Sequence, residues 1–145
     1  MQPLPHHYHA AIDAAPGAGN LTVESSGLPD LATNAPTEYD GPGDQWSPET
    51  LLMAAVADCY VLSFRAIASA SNLQWQNLRC DVDGTLDKAD RIVRFTELRI
   101  RAHLQLPADG ESRAGRILEK AKEICLVTNS LIADVDFQWE TTVTA

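Results

Sequence analysis

The residues with the most reactive chemistry in this sequence are three cysteines, Cys59, Cys80 and Cys125. Three thiols cannot all pair within one chain, and there is no CxxC motif among them. In a reducing compartment thiols stay reduced unless they take part in redox chemistry, so the question is which of the three is reactive. Only the thiolate is a strong nucleophile, and an unperturbed cysteine with a pKa near ~8.5 is mostly protonated at neutral pH. The bland alternative for each is a small buried hydrophobe.

The elements around them can be read from spacing. Ser47 is a good helix N-cap, Pro48 suits the first helical position, and Glu49 complements the positive helix end. No Gly or Pro follows until well past Ala70, so a helix of roughly 23 residues is expected from Pro48. Leu52, Ala55, Val56, Cys59, Leu62, Ser63, Ala66, Ile67 and Ala70 recur at three- and four-residue spacing and define its expected buried stripe. Cys59 lies near the middle of it. Trp46, just before the cap, is placed to pack on the first turns.

Cys80 falls in a period-two run, Leu78, Cys80, Val82 and Leu86 alternating with Arg79, Asp81 and Asp83, so it points into a core. After a turn at Asp87-Lys88-Ala89-Asp90, the residues Leu98, Ile100, Ala102, Leu104 and Leu106 form the apolar face of the next strand. Val93 and Phe95 are out of phase with them, which predicts a bulge near Thr96-Glu97. Arg91, Arg94, Arg99 and Arg101 line the polar side, a solvated or inter-subunit face. A second helix is expected from about Ser112 with Ile117, Leu118, Ala121, Ile124 and Cys125 on one stripe, Cys125 marking its end. Val135, Phe137, Trp139, Thr141 and Val143 make a last strand.

Before the long helix, His6 to Ile12 reads as an edge strand and Leu21 to Ser26 as its hairpin partner across the turn Pro16-Gly17-Ala18-Gly19-Asn20. Residues 27–43 are a long loop rich in Pro, Gly, Asn and Asp, with a short strand near Leu28–Leu31. The order of elements argues one α+β domain over residues 1–145: a largely antiparallel six-stranded sheet, a long central helix and a second helix. So apolar a helix needs covering on more than one side, which predicts a homodimer.

Formal net charge is −9, and all 11 basic residues lie from Arg65 onward. Phosphate recognition rests on clustered Lys and Arg, so neither nucleic acid nor an anionic membrane is an expected partner. There is no run of 18 apolar residues and no charged-then-apolar start, and a cytoplasmic location is expected. His7 and His9 would share a strand face without a further ligand cluster nearby, so no metal and no cofactor is expected.

Three segments together resemble the OsmC/Ohr family, the osmotically inducible protein C and organic hydroperoxide resistance proteins. They are Trp46-Ser47-Pro48-Glu49-Thr50-Leu51-Leu52, Ala57-Asp58-Cys59-Tyr60 and Ile124-Cys125-Leu126-Val127-Thr128-Asn129-Ser130-Leu131. The resemblance implies an intertwined homodimer and a thiol-dependent peroxidase acting on organic hydroperoxides in oxidative stress defence. In that scheme Cys59 attacks the peroxide and becomes a sulfenic acid, Cys125 condenses with it to a disulfide, and a dithiol reductant, such as one of lipoyl type, regenerates the pair. The family also implies an amino-terminal arginine oriented by the glutamate matching Glu49. This chain departs from that pattern: no arginine precedes Arg65, and Pro16 to Asn20 stands where the family places it. Arg65 or an arginine of the 91–101 strand is then expected to supply the cation. Ten residues of straight helix put Glu49 roughly 15 Å from Cys59, so a role for it would fall at a partner's site. The other reading is a non-catalytic dimeric protein on the same scaffold that binds a small hydrophobic ligand.

Overall fold

Ser47 sets where the long helix begins. Its hydroxyl accepts from the Thr50 backbone N–H at 3.1 Å while the Thr50 hydroxyl accepts from the Ser47 N–H at 2.8 Å, a reciprocal capping pair. Helix α1 follows as Pro48–Ala70. It ends without glycine: Asn72 takes a left-handed φ of 52°, and the Leu73 N–H donates back to the Ala68 carbonyl at 2.9 Å. The computed structural model describes residues 1–145 as two compact units, residues 1–51 and 52–145.

In the first unit, β1 (Leu21–Val23) pairs antiparallel with β2 (Leu31–Thr33), and a 3-10 turn spans Thr37–Tyr39. Residues 6–10 form no strand; the expected hairpin is reduced to one bridge, Ala11 to Glu24, with both bonds at 2.9 Å. Pro3 and Pro5 withhold ladder donors, and the alanines that follow have little β preference. Trp46 is held by its backbone, its carbonyl accepting from Asn34 at 2.9 Å, and its ring stays 48% exposed instead of packing down.

The second unit is a three-stranded sheet in the order β3 (Asn77–Ala89), β4 (Ile92–Pro107), β5 (Asp134–Thr144), with α2 (Glu111–Glu123) and the one-turn α3 (Leu126–Asn129) between β4 and β5. The fold is thus mixed α+β, but its strands form sheets of two and three, not six. Nor is pairing uniformly antiparallel: β3 and β4 are a hairpin, whereas the crossover through α2 and α3 returns β5 parallel to β4. The bulge falls where expected. Thr85 pairs with Glu97 and Leu86 with Phe95, leaving Thr96 as the extra residue. Beside it, a Cβ on Gly84 would come within 2.6 Å of Met53 Sδ and 2.9 Å of the Phe95 ring, so only glycine lets α1 and β4 crowd the strand there.

The β3–β4 connection is tighter than the four-residue turn read from sequence. Pairing continues to Ala89 and Ile92, and Asp90 and Arg91 make the turn at φ 51° and 68°. Two positive φ values in a two-residue hairpin loop suit glycine at the second position. Arg91→Gly is therefore expected to stabilise the protein by about 1 kcal/mol, seen as a higher urea midpoint at unchanged m.

The core of this unit takes Tyr60, Phe64 and Ala68 from α1, Ala102, Leu104 and Leu106 from β4, and Ala114, Leu118 and Ala121 from α2. The buried stripe of α1 is Val56, Tyr60, Phe64 and Ala68, which shares only Val56 with the stripe expected from apolar spacing. This helix is apolar nearly all round, so periodicity marks no unique face, and the bulky aromatics take the interior. Leu62 is left 52% exposed. By length and composition alone α1 could cross a membrane, but here its aromatic stripe is a core face. Helix α2 stops at Glu123, so Ile124 falls off the expected stripe and is 43% exposed.

Candidate functional site

Cys59 sits on α1 immediately before Tyr60, whose ring is fully buried, and is itself half-buried. Tyr60 fixes this turn of the helix: its hydroxyl donates to the Leu118 carbonyl at 3.2 Å, and its ring meets Phe137 with centroids 5.4 Å apart. Burial drives the Tyr60 phenol far above its ordinary range, so it stays protonated. Asp58 points to solvent.

Cys125 comes from the junction of α2 and α3. Its carbonyl accepts from the Asn129 N–H at 3.0 Å, which starts α3, and its side chain is 1% exposed. The Thr128 hydroxyl, itself buried, donates to Cys125 Sγ at 3.0 Å. Burial pushes the Cys125 thiol up, hydrogen bonding from Thr128 pulls it down, and the neighbouring Cys59 thiol raises it further. The two cysteines, separated by 66 residues in sequence, thus meet in one hydrophobic cluster. Thr128 was missed as a site residue. Its signal was present: a hydroxyl three residues after a cysteine that opens a helix turn has the spacing of a cap.

Removing that donor should leave Cys125 harder to ionise. Thr128→Val, which keeps the side-chain shape, is expected to slow thiol-disulfide chemistry at Cys125 roughly tenfold and to move its pH profile to higher pH. The check is the rate of disulfide formation across pH in the variant and the parent.

Cys80 packs against the same cluster, paired in register with Ala102. Burial, then Asp81 and Cys125, push its thiol from the ordinary 9.0 up to about 12. A thiol held protonated in this way is a poor nucleophile. Its folded state binds a proton that the unfolded state releases above pH 9.0, so between pH 9.0 and about 12 stability falls as pH rises. Urea titrations over that window are expected to show this loss, and Cys80→Ala is expected to lessen it, the buried Tyr60 phenol supplying the remainder above its ordinary 10.0.

Within one chain, two arginines of β4 are engaged by a carboxylate. Arg101 donates to Asp136 at 2.9 Å and Arg99 lies 3.7 Å from the same carboxylate, on the sheet face opposite Ala102 and Cys80. Arg101 holds the Asp136 carboxyl below the usual carboxylate range. Arg65 is exposed. Glu49 lines a cavity built from residues 12–51.

The fold and these segments have counterparts among known proteins. A family model described as OsmC-like protein matches residues 41–140. Peroxiredoxin OsmC of Escherichia coli (strain K12) is 24% identical over 132 residues, covering 91% of this chain and 92% of that protein. An OsmC-like protein of unknown function from Vibrio cholerae superposes with a TM-score of 0.84 at 17% identity, covering 94% of this chain and all of that one. An organic hydroperoxide resistance protein OsmC from Legionella pneumophila superposes with a TM-score of 0.73 at 23% identity, covering 97% and 100%. With the family model spanning more than half of its length, and the cysteine, cap and helix-end segments in place, this chain belongs to the OsmC-like family, the OsmC/Ohr proteins.

Proposed function

We propose that the protein is a cysteine peroxidase that reduces organic hydroperoxides to alcohols. The observation that carries this reading is the meeting of Cys59 and Cys125: a half-buried thiol beside a fully buried one that already accepts a hydrogen bond from Thr128. The Cys59 thiolate attacks the distal peroxide oxygen, the O–O bond breaks, the alkoxide leaves as alcohol, and Cys59 becomes a sulfenic acid. The Cys125 sulfur then attacks the sulfenic sulfur and expels water, forming the Cys59–Cys125 disulfide. A dithiol reductant donates two electrons and two protons to restore both thiols. Glu49, ten helical residues from the Cys59 of its own chain, is assigned in this scheme to the partner subunit's site, where it would orient the cation that favours the thiolate.

The same reading makes the protein an intertwined homodimer of single OsmC-like domains working in the cytoplasm, where dithiol pools can close the cycle. The uncovered apolar side of α1, with Leu62 at 52% exposure, supports the pairing. The test is consumption of cumene hydroperoxide by reduced protein with dihydrolipoamide. Turnover well above that of free thiol is expected, and consumption no faster than free thiol would overturn the proposal.

A further inference from the structure

Where α1 ends and α2 begins, the second unit has a cavity of about 400 Å³, within the size range of small-molecule sites. It is lined by Ser71, the first residue past α1, and by Ser112, Arg113, Arg116 and Ile117 from the first turns of α2, with no carboxylate among them. Arg113 is held in place, its Nη1 donating to the Ser71 carbonyl at 2.9 Å. Arg116 follows one helical turn later and is exposed, and neither arginine has a carboxylate within ion-pair distance. Two carboxylates of the same helix are engaged elsewhere: Glu119 accepts from Trp139 Nε1 at 2.9 Å, and Glu123 pairs with Lys120 at 3.0 Å. Ile117, only 5% exposed, gives the cavity an apolar wall.

Like charges three residues apart on one helix repel, and nothing in the lining offsets that repulsion. The chain has a formal net charge of −9 and supplies carboxylates to Arg79, Arg99 and Arg101, yet this pair stands without one. Two guanidiniums and two hydroxyls around one space offer more donors and more positive charge than a single carboxylate can use. They match the three oxygens and double charge of a phosphate group. A free phosphate ion is far smaller than 400 Å³, and the remaining space runs along Ile117. We propose that the cavity binds a small phosphate monoester, its phosphate between Arg113 and Arg116 with the Ser71 and Ser112 hydroxyls donating, and its organic part against Ile117. Ser71 is twelve residues past Cys59, roughly 18 Å along α1, and the peroxidase reading neither requires this site nor follows from it.

The probes are phenyl phosphate, benzenesulfonate and inorganic phosphate, each titrated calorimetrically into the full chain at fixed low salt and about pH 8, where the ester is a dianion. Phenyl phosphate is expected to bind one per chain, at least about tenfold more tightly than benzenesulfonate, which keeps the ring and three oxygens but carries a single charge. It is expected to bind at least about fivefold more tightly than inorganic phosphate, which lacks the ring. Arg116→Gln is expected to weaken phenyl phosphate binding at least about tenfold and to leave the fold intact, because Arg116 is exposed and has no ion-pair partner to lose. Cys59→Ser is expected to retain the affinity whatever becomes of its hydroperoxide consumption. Benzenesulfonate or inorganic phosphate binding as tightly as phenyl phosphate, a folded Arg116→Gln that binds as the parent does, or no saturable binding of phenyl phosphate would each overturn the proposal. Should Arg116→Gln fail to fold, the comparison of the three probes in the parent protein decides alone.

Discussion

Cys59→Ser is expected to bring hydroperoxide consumption down to the uncatalysed background, a loss of at least ~10³-fold. A serine hydroxyl is not ionised at neutral pH and has no sulfur to be oxidised, so the first step disappears. The fold should survive, because Cys59 is half-buried beside, and not within, the stripe of Val56, Tyr60, Phe64 and Ala68 that anchors α1. The melting temperature of the variant is therefore expected to stay within a few degrees of the parent's, which separates lost chemistry from lost structure. Cys80→Ala is the matching control. Its thiol is pushed up to about 12, so its removal should leave turnover intact.

Cys125→Ser is expected to fail differently. Attack by Cys59 still occurs, so about one equivalent of alcohol per chain should appear at a rate near the parent's. Without the neighbouring sulfur the sulfenic acid has no partner to condense with, and excess hydroperoxide carries it on to the sulfinic acid. Steady turnover should fall by roughly 100-fold or more, and intact mass should report one added oxygen and then two. Cys80 is poorly suited to take over, since burial beside Asp81 keeps it protonated. A Cys125→Ser protein that cycled at the parent's rate would remove Cys125 from the mechanism.

Much of this arrangement is legible in local chemistry. The start of α1 follows from Ser47, and its actual length of 23 residues follows from the absence of breakers up to Asn72. The bulge at Thr96 follows from the phase change between Phe95 and Leu98. What depends on tertiary competition is not legible. In α1 nearly every face is apolar, so the choice of Tyr60 and Phe64 over Leu62 and Ala66 as core residues is made by what α2 and β4 offer them. The parallel return of β5 is set by the crossover through α2 and α3, which strand patterning alone cannot distinguish from a hairpin. The reduction of the amino-terminal hairpin to the Ala11–Glu24 bridge reflects weak β preference in the stretch read as an edge strand. In the site, the two cysteines were legible as a pair only through family resemblance, because 66 residues of chain say nothing about proximity. Thr128 was legible only as a hydroxyl at cap spacing; that its partner is the Cys125 sulfur follows from the fold. Glu49 was legible as a helix-start residue, but its unpartnered oxygen appears only once the walls around it are folded.

The most direct test of the central claim is to treat fully reduced protein with one equivalent of cumene hydroperoxide, block remaining thiols by alkylation and map the disulfide by mass spectrometry. The account predicts that the protein loses two hydrogens, that Cys59 and Cys125 are found joined, and that Cys80 is found alkylated. Three alkylated cysteines, or a disulfide that includes Cys80 and leaves Cys59 as a thiol, would contradict it.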